Sequence, residues 1–273
     1  MADPAASRPS PAAPLAWFDV LGTGISVTTP ERAVATLLAW ARDDIGRYVC
    51  IRDVHGVMLA RRDPELAGIH REAAMVTPDG MPLALLGKLR GLPVERTCGP
   101  DLMLDMFAAS RAGQVKHYLY GGRDGVAREL ADRLLERFPG ATIAGMETPP
   151  FRPIEEEELR DLATRIDASG ADLVWVGLST PKQERLMHRL APLVSATLIG
   201  VGAAFDLHAG HMERAPRWMQ RLCLEGVYRF LKEPRRLWRR YLLLAPQFLA
   251  LALIQHVRPG FAAAPESPAD RIG

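Results

Sequence analysis

The chain has 273 residues, 48% hydrophobic and 24% charged, with a net charge of only +2. It is long and apolar enough to bury a large core, which excludes a disordered class, and its near-neutral balance gives no ground for a nucleic-acid partner. Cys50, Cys98 and Cys223 stand far apart with no CxxC pair, so neither a disulfide framework nor a zinc site is expected and a reducing cytosol is the natural compartment.

The first sixteen residues, MADPAASRPSPAAPLA, are rich in Ala and Pro and lack a basic region followed by an apolar core. They read as a disordered leader and not as a secretory signal. Short apolar runs follow at WFDVL (17–21), YVCIR (48–52), AAMVT (73–77), KHYLYG (116–121), ATIAG (141–145), DLVWVGL (172–178) and ATLIGVG (196–202). Each has the length and composition of a strand. Amphipathic segments over 30–42, 80–90, 100–111, 124–138, 155–168 and 181–190 lie between them. This alternation predicts an α/β fold over 17–211, a doubly wound, mainly parallel, Rossmann-like sheet covered by helices on both faces.

The composition changes near residue 211. From Met212 to Arg240 there are nine Lys or Arg against three Glu, a local balance of +6 that leaves the rest of the chain at about −4. Over 212–257 this reads as a basic, helical C-terminal appendage, followed by a disordered tail over 258–273. The apolar stretch from Leu242 to Ile254 contains Pro246 and Gln247 and falls short of the roughly 20 residues that span a bilayer. Arginines ahead of an aromatic and Leu-rich segment suit an interfacial helix on an anionic membrane surface. The alternative is a helix packed on the body or on another subunit.

In doubly wound sheets ligands sit beyond the carboxyl ends of the strands, so the loops after strands matter most. In TPDGMP (77–82), Asp79 stands between Pro and Gly at a strand-to-helix junction. It can cap the helix, or, beside Thr77, accept a proton from an attacking hydroxyl. YGGRDG (120–125) places Gly121 and Gly122 where backbone N–H groups can approach a phosphate. GTGISVTTP (22–30) lacks the third glycine of a dinucleotide fingerprint and reads as a turn. Lys182 and Gln183, in PKQE (181–184), can reach phosphate or sugar hydroxyls or simply open a solvated helix. His55 in RDVHG (52–56) is open between a packed residue and a ligand contact, and Asp206 in FDLHAG (205–210) reads as a loop cap.

VHG (54–56), TPDGMP (77–82), GPDLM (99–103), YGG (120–122), VGLSTPKQE (176–184), GVGAAFD (200–206), AG (209–210), RAPRWMQ (214–220) and EPRRLWRRY (233–241) occur in the order and spacing of one family. Over residues 17–241 the chain resembles the WecG/TagA/CpsF glycosyltransferases. The resemblance implies an inverting, metal-independent transfer of a hexose or N-acetylhexosamine from a UDP-sugar to a polyprenyl-diphosphate-linked saccharide during synthesis of bacterial surface polysaccharides. It also implies a cytoplasmic enzyme held peripherally at the inner face of the plasma membrane, with no cofactor. It makes Asp79 the general base, Thr77 its neighbour, Gln183 a polar pocket residue and Arg96 a diphosphate contact. Arg214, Arg217 and Arg221 of the appendage would complete the site at the membrane.

The chain departs from the family pattern at several positions. Asp53 stands where Asn is usual and Cys98 where Thr is usual, while Cys223 and Gly226 replace the Gly and Trp of a GLEW-like stretch. An Asp53 carboxylate near the pocket offers acceptors alone where an amide offers both donor and acceptor, which leaves the donor sugar, N-acetylmannosamine or glucose, open. Two other classes compete. A non-catalytic membrane-bound scaffold would bind no UDP-sugar. A nucleotide-sugar-modifying oxidoreductase or epimerase that binds NAD would want a full GxGxxG, which is absent, and a YxxxK pair, and that spacing occurs only as YRFLK (228–232).

Overall fold

A computed structural model describes residues 15–41, 43–216, 219 and 225–257. Six strands form one all-parallel sheet: β3 (Arg47–Arg52), β4 (Met75–Pro78), β5 (Lys116–Gly121), β6 (Thr142–Glu147), β7 (Leu173–Gly177) and β8 (Thr197–Gly200), in the order β4-β3-β8-β7-β5-β6. Seven helices of the body are α1 (Pro30–Trp40), α3 (Pro64–Glu72), α4 (Met81–Leu89), α5 (Gly99–Ala109), α6 (Val126–Arg137), α7 (Glu156–Ser169) and α8 (Lys182–Leu190). Two shorter ones, α2 (Val54–Ala60) and α9 (Ala204–His208), follow β3 and β8 directly.

Alternation along the strands divides the core in two. Tyr48, Cys50, Val76, Tyr118, Val174 and Leu198 point to a layer formed with α2, α4, α7 and α8. Their neighbours Val49, Ile51, Met75, Leu119, Trp175 and Ile199 point to a layer formed with α1, α5, α6 and α9. Both faces of the inner strands are therefore dry, which is why those strands are apolar at nearly every position. The edge strand β6 is only half-buried, and Gly145 lets the Tyr118 ring cross it, since a Cβ there would lie 2.3 Å from that ring.

The segment over 17–26 holds an antiparallel hairpin, β1 (Trp17–Val20) and β2 (Thr23–Ser26), separate from the main sheet. Leu21 (φ 53°) and Gly22 (φ 89°) turn the chain in the left-handed region, as two-residue hairpin turns require. This corrects the expectation of a simple turn at GTGIS. Ser26 Oγ accepts a hydrogen bond from Val76 N at 2.9 Å and ties the hairpin to β4.

The C-terminal segment is helical. It contains α10 (Glu225–Lys232), α11 (Pro234–Trp238), a π-helical turn over Arg239–Leu244 and α12 (Ala245–Val257). Pro246 lacks the N–H that would continue the ladder, and the chain adopts the wider turn just before it. The apolar helix thus runs without interruption over Arg239–Val257, 19 residues at a mean hydropathy of 1.2. That is long and apolar enough to cross a membrane by length and composition, a correction to the shorter segment expected from sequence. One face is held by the body. Phe248 and Ala252 enter the core, Arg62 donates to Gln247 Oε1 at 2.7 Å, and Gln255 Oε1 accepts from Leu21 N at 3.0 Å. The other face exposes Leu242, Leu243, Leu249, Leu253, Ile254 and Val257. Of the leader expected over 1–16, residues 1–14 lie outside the described residues, as does the tail over 258–273, while Leu15 is buried in the core and Ala16 O accepts from Val27 N.

Candidate active site

β3 and β4 are neighbours with Arg52 opposite Pro78, so the residues that follow them, Asp53 and Asp79, leave the sheet side by side. Asp79 N donates to Arg52 O at 2.7 Å, which joins the two strand ends. The two aspartates then do different work. Asp53 is the N-cap of α2, with its side chain accepting from Gly56 N at 2.8 Å. The N-cap of α4 is Gly80, which leaves Asp79 one residue ahead of the cap. The Asp79 side chain lies about one-third exposed at the mouth of a pocket of 230 Å³.

Arg96 holds that loop. Its Nε donates to Asp79 O at 2.6 Å and its Nη2 lies 3.6 Å from Asp79 Oδ1. The Arg96 segment is in turn spliced to β4, because Thr77 Oγ1 donates to Thr97 O at 3.0 Å and Thr97 N donates to Pro78 O at 2.9 Å. Thr77 is fully buried. Its hydroxyl bonds the Arg96 segment, so this neighbour of Asp79 has the structural work of holding Arg96 beside it.

The opposite wall comes from the C-terminal helices. Arg229, Arg240 and Tyr241 line the same pocket as Asp53, His55 and Asp79. Arg240 Nη2 is hydrogen-bonded to Asp53 Oδ2 in a close ion pair. Burial pushes the Asp53 carboxyl upward, but Arg240, the Gly56 N–H and Arg52 together outweigh it and hold the group below the usual carboxylate range. Burial and then the Arg240 charge push His55 below its ordinary value, which favours the neutral ring. Gly226 accommodates the Tyr241 ring, since a Cβ at that position would lie 2.8 Å from Tyr241 Cε1. Cys98 is a buried thiol that donates to Asp101 Oδ2 at 2.9 Å. Burial and the nearby Asp79 push it well above the ordinary thiol range, so it is no nucleophile.

Other residues singled out in the sequence lie along the same edge, outside this pocket. Arg214 forms a two-pronged pair with Asp101. Gln183 is buried, with Oε1 accepting from Gly202 N at 3.0 Å and Nε2 donating to Glu184 Oε1 at 2.9 Å. Lys182 is exposed at the start of α8. Gly122 N donates to Gly177 O at 3.2 Å, and a Cβ at Gly121 would lie 2.6 Å from the Gly177 backbone. These two glycines let β5 and β7 approach, and the Gly122 N–H is already engaged, which corrects the expectation that it cradles phosphate. Arg217 and Arg221 lie outside the described residues. Among the described residues no three His, Cys, Asp or Glu side chains form a metal-ligating group.

Sequence reasoning missed Arg229, Arg240 and Tyr241 as pocket residues, and it missed a buried ion pair beneath the site. Arg52, 1% exposed, pairs with Glu184, 0% exposed. Glu184 Oε1 also accepts from Thr180 Oγ1 at 3.1 Å, while Glu184 Oε2 and Arg52 Nε have no hydrogen-bond partner among the described residues.

A carboxylate held by an arginine in a cation-walled pocket at the carboxyl edge of a parallel sheet fits proton transfer on an anionic substrate. The profile of the Glycosyl transferase WecG/TagA/CpsF family matches residues 18–261. The chain belongs to that family. The enzyme is therefore a glycosyltransferase. It is 32% identical over 201 residues, 73% of this chain and 75% of the relative, to the N-acetylglucosaminyldiphosphoundecaprenol N-acetyl-beta-D-mannosaminyltransferase of Bacillus spizizenii strain W23. It is 27% identical over 200 residues, 72% of this chain and 76% of the relative, to the protein of the same name in Bacillus subtilis strain 168.

Proposed function

We propose that the enzyme transfers a hexose or N-acetylhexosamine from a UDP-sugar to a saccharide carried on a polyprenyl diphosphate, with inversion at the anomeric carbon, in the synthesis of a bacterial surface polysaccharide. The observation that carries this reading is Asp79, a carboxylate at the carboxyl end of β4 that is positioned by Arg96 and shares its pocket with the arginines of the C-terminal segment. The acceptor class is supported by the names of the two relatives.

In this reading the acceptor hydroxyl attacks the anomeric carbon from the face opposite the diphosphate. Asp79 takes its proton as the new C–O bond forms and the bond to UDP breaks. The departing diphosphate gains negative charge, and Arg96, Arg229 and Arg240 supply fixed positive charge within the pocket they share with Asp79. This assigns to arginine the role a metal ion plays in other nucleotide-sugar enzymes.

The C-terminal helices give the acceptor its setting. An apolar face rich in Leu beside Arg235, Arg239 and Arg240 suits the boundary between headgroups and acyl chains. Because the other face of α12 is bonded to the body through Gln247 and Gln255, the reading is peripheral attachment at the cytoplasmic face rather than a free span. The test is a panel of UDP-sugars with a short-chain prenyl-diphosphate saccharide, followed by UDP release and product stereochemistry. One UDP-sugar is expected to give acceptor-dependent UDP release with inverted product. No turnover across the panel, or retention, would refute the reading.

A further inference from the structure

Asp53 and Arg240 are 187 positions apart and meet only at the pocket. Asp53 is held rigidly, since it starts α2 and one of its oxygens is committed to Gly56 N at 2.8 Å. Its other oxygen takes Arg240 Nη2. Arg240, by contrast, projects from the π-helical turn Arg239–Leu244, which has no buried residue of its own. Among the described residues the Arg240 guanidinium makes this one hydrogen bond and lies 5.7 Å over the Tyr241 ring, and about a third of the side chain is exposed. A guanidinium carries five N–H donors in a planar fork. Fixing one of them on a rigid carboxylate fixes the plane of the group and leaves the others to point away from α2.

We propose that Asp53 is a positioning residue. It moors the C-terminal segment to the sheet edge and orients Arg240 toward the diphosphate of an incoming substrate. The proposal rests on the reading that the pocket takes a diphosphate. An Asn would retain the cap, because Asn and Asp cap helices about equally, and would still offer an oxygen to Arg240. It would lose the charge that makes this bond strong. The two functions of Asp53 therefore separate in a single variant that folds.

The experiment compares wild type, Asp53→Asn, Arg240→Gln and the double variant as full chains, with circular dichroism confirming the fold. Hydrogen exchange of residues 239–244 reports mooring without any substrate. Calorimetry with UDP, and KM for a short-chain prenyl-diphosphate saccharide, separate the two sources of diphosphate. Asp53→Asn is expected to accelerate exchange over 239–244 and to weaken binding of at least one diphosphate by about tenfold, with kcat changing less than KM. The double variant should bind no more weakly than Arg240→Gln alone, because both changes break one connection.

Unchanged exchange in Asp53→Asn would overturn the mooring. Tighter diphosphate binding in that variant would show that Asp53 competes for Arg240, which also overturns the proposal. If wild type binds no UDP and turns over no acceptor, the functional reading fails, and the exchange comparison still decides whether Asp53 holds the segment.

Discussion

Glu184→Gln isolates the charge that stabilises Arg52 beneath the site. The two side chains are 0% and 1% exposed, and Glu184 Oε1 is shared by Arg52, Gln183 and Thr180. Burial alone would push the Arg52 guanidinium toward losing its proton; the Glu184 charge opposes this and prevails. A glutamine keeps the shape and one acceptor, but it leaves a buried cation uncompensated and puts an amide N–H₂ where Oε2 already lacks a partner. Breaking a buried pair in this way costs about 3–5 kcal/mol, a large share of the roughly 5–15 kcal/mol by which domains are stable. At about 2–4 °C per kcal/mol for a chain of this size, Tm should fall by about 6–20 °C. Urea unfolding followed by circular dichroism measures it, with equal slopes required for the comparison. Replacing both residues, as Arg52→Met with Glu184→Leu, should cost less than Glu184→Gln alone, because no buried charge then remains. A Glu184→Gln variant within about 1 kcal/mol of wild type would refute the assignment of Glu184 as the main compensating charge for a buried Arg52 cation.

Acid should destabilise the protein through two buried histidines, since burial lowers both His70 and His117 to about 3. Trp175 Nε1 donates to His117 Nδ1 at 3.0 Å, so that nitrogen is unprotonated in the fold. Their contribution is complete above the unfolded value near 6.5 and is lost as pH falls toward 3, with a limiting slope of about 2.7 kcal/mol per pH unit for two protons. His70→Leu should remove about half of that slope in pH-dependent urea titrations, and an unchanged slope would contradict the placement of His70 as a buried neutral ring. Thr77→Val should cost about 1 kcal/mol from the lost bond to Thr97 O, and it should lower turnover by loosening Arg96, read as a fall in kcat/KM. Leu249→Glu with Leu253→Glu, at positions 60% and 64% exposed, should leave the melting curve in place and abolish co-sedimentation with anionic vesicles. Wild-type co-sedimentation should weaken as NaCl is raised to about 0.5 M, and full binding by the double variant would remove α12 from the membrane account.

The sheet was legible because its inner strands are buried on both faces and so appear as continuous apolar runs; Lys116–Gly121 matches the expected 116–121 to the residue. The loops after β3 and β4 were legible for the same reason, which brought Asp53, His55 and Asp79 to attention, whereas Arg96 came only from the family resemblance. Smaller elements were hidden. The strand Thr23–Ser26 is four residues that start directly after the turn at Leu21–Gly22, and α2 opens on Asp53 where RDVHG reads as a loop. Local sequence also cannot separate two aspartates that both follow strands. Only the geometry shows that Asp53 is the N-cap of its helix while Gly80, not Asp79, is the N-cap of the next. Arg240 was one of nine basic residues in its segment, and its selection depends on a contact across 187 positions. Glu184 was invisible for a related reason. A charged residue early in an amphipathic helix reads as solvent-facing until its partner Arg52 is placed behind it.

The central claim is that Asp79 takes the proton of the acceptor hydroxyl. The most direct measurement is kcat of Asp79→Asn, on the UDP-sugar that wild type uses, with melting curves and UDP affinity determined on the same preparations. The account predicts a fall in kcat of about 10²–10⁴-fold, with the fold and UDP affinity retained. A kcat within about threefold of wild type would contradict it.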